Sequence, residues 1–208
     1  MALINHARKE ISLKIVYWGT GLGGKTVNVM QLSKLFGGKE PIQLSTEEGR
    51  TLFFDFKPLE IKLSNGYKLR YSVYTAPGQV IYRETRKLLL KGVDGIVFVA
   101  DSQISRHESN IISLKELLNE MKEQKLSLDI PIVFQYNKRD LSNILSVKIL
   151  RKDLNFLKRP DFKAIAIKGI GVRETFNEVA KLSFLRVITN LTSFRARKYC
   201  CVQKRDMR

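Results

Sequence analysis

Gly19-Thr20-Gly21-Leu22-Gly23-Gly24-Lys25-Thr26 fits the phosphate-loop pattern of glycine, four residues, then Gly-Lys-Thr. The chemistry explains the residue types. Gly19, Gly21, Gly23 and Gly24 let backbone N–H groups converge on the α- and β-phosphates, Lys25 reaches the β/γ oxygens, and the Thr26 hydroxyl suits Mg²⁺. Upstream, Ile11 to Trp18 is a β-branched and aromatic run that reads as a strand. Downstream, Val27 to Phe36 continues as a helix whose N-terminus faces the anion.

Outward from this loop, short apolar or alternating runs recur with helical patterns between them, the signature of βαβ units around a mostly parallel sheet. Strands are expected near Ile11–Trp18, Leu52–Leu63, Lys68–Thr75, Gly95–Asp101, Pro131–Asn137 and Phe162–Ile167. Ser64-Asn65-Gly66 joins the second to the third as a hairpin. The expectation is therefore a six-stranded, mostly parallel sheet with one antiparallel hairpin pair and helices on both faces. Ser105 and Glu108 read as a capping box, after which Ile111, Leu114, Leu118 and Met121 share a helical face. A last helix is expected from Val172 to Thr192, with Val172, Phe176 and Val179 inward.

The 208 residues suit one α/β domain, here 1–192, followed by a basic tail, 193–208, expected to be disordered. No apolar run reaches membrane-spanning length, and the polar N-terminus lacks a secretion layout, so the expected compartment is the cytoplasm. Cys200 and Cys201 fit a reducing compartment. The outlier is charge: 37 Lys and Arg against 20 Asp and Glu give a formal +17. Such an excess favours acidic partners generally, and the tail's share of it leaves a solvated end and electrostatic membrane attachment both open.

Two further motifs narrow the nucleotide. Asn137-Lys138-Arg139-Asp140 follows the fifth strand. The Asp140 carboxylate can accept from guanine N1–H and the N2 amino group, a donor pair that adenine lacks. Asn137 suits holding the loop and base edge, and the Lys138 stem suits covering the ring. Ala166 would offer its N–H to guanine O6, or simply end a buried strand. Thr75-Ala76-Pro77-Gly78-Gln79 stands where many GTPases have Asp-x-x-Gly-Gln: Gly78 can present an N–H to the γ-phosphate and Gln79 can orient water. Thr75 lacks the charge of the missing Asp, and Asp55 in Phe53-Phe54-Asp55-Phe56 is a candidate substitute, the alternative being an outward-facing polar position. In Ser45–Thr51, Thr51 is a candidate Mg²⁺ ligand and Arg50 a candidate for neutralising the transferring phosphoryl group.

Ser45 to Phe56 (STEEGRTLFFDF), Thr75 to Gln79, Lys91–Gly95 with Ala100–Ser102, and Asn137–Leu141 (NKRDL) together resemble the MglA family of bacterial Ras-like GTPases. The resemblance covers about residues 1 to 192. It implies a GTP/GDP switch with Mg²⁺ that sets cell polarity for gliding or type IV pilus motility, concentrated at a cell pole and acting on motility effectors. It also implies a roadblock-fold activator, MglB, working as a dimer. Arg50 would be an arginine finger in cis, repositioned with Gln79 by the activator, and Thr75 belongs to the family pattern. The switches would lie at about 36–51 and 75–86. Gly49 and Ala76 depart from that pattern, where the family commonly has an acidic residue and valine. Two other readings compete: a nucleotide-locked scaffold without turnover, and a nucleic-acid binder using the +17. No helix-turn-helix, zinc spacing or aromatic RNA motif accompanies that charge, so no specific nucleic acid is expected.

Overall fold

β2 (Glu10–Trp18) is the axis of the sheet, and its alternation of side chains divides the core in two. Ile11, Leu13, Ile15 and Tyr17 enter one cluster, while Val16 and Trp18 enter the other. This is the period of two that a strand imposes on its faces. The structure is a computed structural model that describes residues 3–37, 42–45, 51–64, 66–77 and 83–203. Side chains at 42–45, 51–60, 83 and 191–203 also lie outside that description.

The other strands are β1 (Leu3–Asn5), β3 (Ile42–Ser45), β4 (Thr51–Lys62), β5 (Lys68–Thr75), β6 (Gly95–Asp101), β7 (Ile132–Asn137) and β8 (Asp161–Lys163). They order as β3-β4-β5-β2-β6-β7-β8, with β1 on the side of β2. The β2 pairs with β5 and β6 are parallel, as are β6·β7 and β7·β8. The expected hairpin is β4·β5, with Lys62 opposite Lys68 and Gly66 at φ 80 in the connection.

The expected six strands become eight, because β1 and β3 are also present, each paired antiparallel. Both are too short to generate a readable alternation. The run Phe162–Ile167 is strand only to Lys163. Gly169 and Gly171, at φ 72 and 73, fold the chain back so that Ile165 bridges Ile170, and Ala166–Lys168 forms a 3₁₀ turn.

Helices α1 (Lys25–Phe36) and α5 (Val172–Gln203) cover one face, where Val29, Leu32, Val172, Phe176 and Val179 are buried. Helices α2 (Arg83–Leu90), α3 (His107–Glu123) and α4 (Val147–Leu154) cover the other through Leu90, Leu114, Leu117, Met121 and Leu150. The Ser105 capping box does not form. Ile104–Arg106 is a 3₁₀ turn, and α3 starts after Arg106 without a side-chain cap. The tail expected to be disordered from 193 is helical to Gln203. No Gly or Pro interrupts Val172–Gln203, and Leu, Arg, Lys and Ala in that stretch favour helix. Among the described residues, no helix is long and apolar enough to cross a membrane.

Close approach of α5 to the sheet depends on Gly95. A Cβ there would lie 2.9 Å from Val179 Cγ2 and 3.0 Å from Ile15 Cδ1, and would collide with Ser183 Oγ. Gly95→Ala should therefore cost about 1 to 3 kcal/mol through overpacking. The measurement is the urea midpoint at an unchanged m-value, and a wild-type midpoint would show that α5 yields freely.

Candidate functional site

The order of the sheet makes β2 the point from which the chain leaves in opposite directions, toward β5 on one side and β6 on the other. In open α/β sheets, ligands occupy the crevice beyond the C-terminal strand ends at such a point. Four segments meet there. They are the glycine loop after Trp18, Thr75 at the end of β5, Asp101 at the end of β6, and Asn137 at the end of β7.

The loop turns sharply at Gly19, φ 139, where a side chain would collide with the Val99 carbonyl. Gly24, φ 99, is the left-handed N-cap of α1, and its carbonyl accepts from both the backbone N–H and the side-chain Nδ2 of Asn28 at 3.0 Å. Gly23 N–H donates to Thr20 O at 3.3 Å, and Gly21 is partly exposed at the lip. Thr26 lies in the first turn of α1. Lys25 is 7% exposed, its Nζ donating to Gly19 O at 2.9 Å and Thr20 O at 2.7 Å. Burial holds its ammonium down to about 7, with Arg86 and Arg106 adding repulsion.

Asn137 joins the two ends of the site. Its Nδ2 donates to Gly23 O at 2.9 Å, and its Oδ1 accepts from Ala166 N at 2.9 Å. Asn137 therefore holds the glycine loop, as the sequence suggests. The Ala166 N–H expected to meet guanine O6 is engaged by Asn137 here, so a base would have to share that donor. Lys138, at φ 63, has its Nζ 2.6 Å from Asp101 Oδ2 and donates to Gln103 Oε1 at 3.3 Å. Its stem is thereby fixed across the segment, while Asp140 is exposed.

Thr75 is buried beside Tyr17, and its Oγ1 has no hydrogen-bond partner among the described residues. An orphaned hydroxyl at the end of β5 has the chemistry to meet a water on a hard cation, so this donor is compatible with Mg²⁺. Thr51 opens β4, and Asp55 lies within it opposite Ile42, with both side chains outside the described set. Arg50, Gly78 and Gln79 lie outside the described residues.

Two arginines to which the motifs assign no role lie nearby. Arg106 Nη2 donates to Thr20 Oγ1 at 2.9 Å and Gly21 O at 2.8 Å. Arg86 of α2 donates to Glu116 at 2.7 Å, and its guanidinium lies 5.5 Å from the Trp18 ring centroid.

The chain matches the ADP-ribosylation factor family over residues 2–183. It is also 50% identical over 186 residues to "Mutual gliding-motility protein MglA" of Myxococcus xanthus (strain DK1622), an alignment covering 88% of this chain and 95% of that protein.

Removing the Asn137 carboxamide leaves Gly23 O and Ala166 N–H without these partners. Asn137→Ala should therefore destabilise the protein by about 2 to 4 kcal/mol, read from chemical denaturation, with nucleotide release accelerated in parallel. Lys25 sets a pH dependence. A phosphate beside Nζ favours the charged form and raises the pKa again. At about pH 8 the lysine is mostly neutral beforehand, so nucleotide binding should take up close to one proton, and this uptake should vanish below about pH 6. Calorimetry in buffers of different ionisation enthalpy measures it, and equal uptake at both pH values would refute the assignment.

Proposed function

The chain belongs to the ADP-ribosylation factor family, as an MglA-like small GTPase of the Ras type, and from that premise we propose a switch that controls cell polarity and gliding motility. The observation that supports a nucleotide switch most directly is the Asn137 bridge between the glycine loop and the Ala166 turn. It brings the glycine loop and the Ala166 turn, which this reading assigns to phosphate and base, into one crevice.

In this reading the N–H groups of the glycine loop and Lys25 hold the β- and γ-phosphates of GTP. Asp140 accepts from guanine N1–H and N2, the Lys138 stem covers the ring, and Ala166 shares its N–H with O6. Gly78 presents its N–H to the γ-phosphate. Gln79 orients the attacking water, and Arg50 neutralises charge on the phosphoryl group as the bond to the β-phosphate breaks. Thr26 and Thr51 would hold Mg²⁺, with Asp55 or the Thr75 hydroxyl behind them. The ion supplies neutralising charge to the phosphate oxygens. Loss of the γ-phosphate releases the segments on either side of the β4–β5 hairpin, so the partner surface differs between GTP and GDP states.

A roadblock-fold dimer of the MglB type serves as activator by ordering Arg50 and Gln79. The site of action is the cytoplasm, at a cell pole, with gliding or type IV pilus machinery as effector. The basic end of α5 adds a weak attraction to anionic lipid.

GTP turnover with and without the roadblock partner tests this reading, with wild type beside Arg50→Ala and Gln79→Leu. Stimulated turnover should fall by about 10³-fold or more in Arg50→Ala and be lost in Gln79→Leu. Wild type that binds GTP but releases no phosphate even with the partner would refute it.

A further inference from the structure

Leu22 stands in the glycine loop with φ 61, and the residue is 84% exposed. A left-handed conformation is costly for a residue with a Cβ. An exposed side chain gains little burial to offset that cost, so a neighbouring interaction must hold the backbone.

Arg106 is that neighbour. From the turn between β6 and α3, its Nη2 reaches both Gly21 O and Thr20 Oγ1, the two residues immediately before Leu22. The described peptides are all trans, so the Gly21 C=O and the Leu22 N–H lie in one plane and point in opposite directions, on opposite sides of the C–N bond. With the carbonyl oxygen turned out onto the guanidinium, the Leu22 N–H is turned away from Arg106.

We propose that Arg106 is a positioning residue for GTP and GDP: it pins the Gly21 carbonyl outward and so holds Leu22 in the left-handed conformation that aims its N–H at a phosphate oxygen. The inference rests on the glycine loop being a nucleotide phosphate site. Without Arg106 the peptide plane rotates to relieve Leu22, and the Gly21 carbonyl oxygen turns toward the phosphates, where two acceptors repel. The charge of Arg106 is felt inside the same site, since it contributes to the depression of Lys25. A guanidinium suits the task because it stays charged at all working pH values and donates in a fixed plane.

The test is release of a fluorescent GDP analogue from the full chain, followed by stopped flow, in wild type, Arg106→Ala, and Arg106→Ala combined with Leu22→Gly. Arg106→Ala should release nucleotide about tenfold faster, the factor that corresponds to the left-handed strain no longer held. Leu22→Gly should recover most of that loss, because glycine adopts positive φ without penalty. A generally structural arginine would give no such rescue. Release at the wild-type rate in Arg106→Ala, or no recovery in the double variant, overturns the proposal. Should Arg106→Ala fail to fold, the Leu22 amide of ¹⁵N-labelled wild type decides: a downfield proton shift on adding GDP supports it, and an unmoved resonance overturns it. Wild type that binds no GDP overturns the phosphate-site reading as well, whereas binding with an unaffected Arg106→Ala overturns the inference alone.

Discussion

The two hydrogen bonds of the Asn137 carboxamide are the constraint on which the rest of the site depends. Gly23 and Ala166 belong to segments far apart in sequence, one before the first helix and one before the last, and a single buried side chain pairs with both. Each bond is worth only about 1 kcal/mol when made, but costs more when broken, because the groups left behind are sealed from water. A second polar layer lies beneath. Gln135 Nε2 donates to Asn28 Oδ1 at 2.8 Å and Thr175 Oγ1 at 3.1 Å, tying β7 to α1 and α5 under the glycine loop. The loop is therefore held from below and from the side by partners that have no other way to satisfy themselves.

Around this point the two faces of the sheet divide their work. The α1 and α5 face packs against the alternating positions of β2 and β5 and includes Gly95, whose missing side chain lets α5 lie close. On the opposite face, α2 and α3 are tied by the Arg86–Glu116 pair and by Gln124 Nε2, which donates to Lys87 O at 3.1 Å. Arg86 is buried, so separating it from Glu116 would leave a charge poorly solvated. The end of α2 is thus tied to α3 by contacts at Arg86 and Lys87.

Much of this was legible in the sequence. β5 and β6 match their expected bounds to the residue, and β2, β4 and β7 to within one, because their alternation or continuous apolarity runs for six residues or more. Lys25, Asn137 and Lys138 stand out in the sequence because phosphate and purine chemistry calls for such side chains at that spacing, and all three lie in or beside the crevice beyond the strand ends. Other features have no local signature. β1 and β3 are three and four residues long. The strand expected over Phe162–Ile167 looked apolar, but Ile167 and Ile170 are exposed on a turn that two glycines impose. The contacts of Arg106 and Arg86 join residues distant in the chain, and nothing in their neighbourhoods marks them. The last helix is expected to end at Thr192 but continues to Gln203, since no Gly or Pro marks a stop in that stretch.

Trp18 is the chain's single tryptophan and is buried where the glycine loop begins. Its Nε1 donates to Ser113 O at 3.0 Å, and the Arg86 guanidinium lies over its ring. Indole emission from this protein consequently originates at one place, the root of the phosphate loop, in contact with both α2 and α3. The molecule thereby contains its own optical probe: a displacement of α2 relative to α3 changes the charge above the only indole, and the colour and intensity of its fluorescence follow without any attached label.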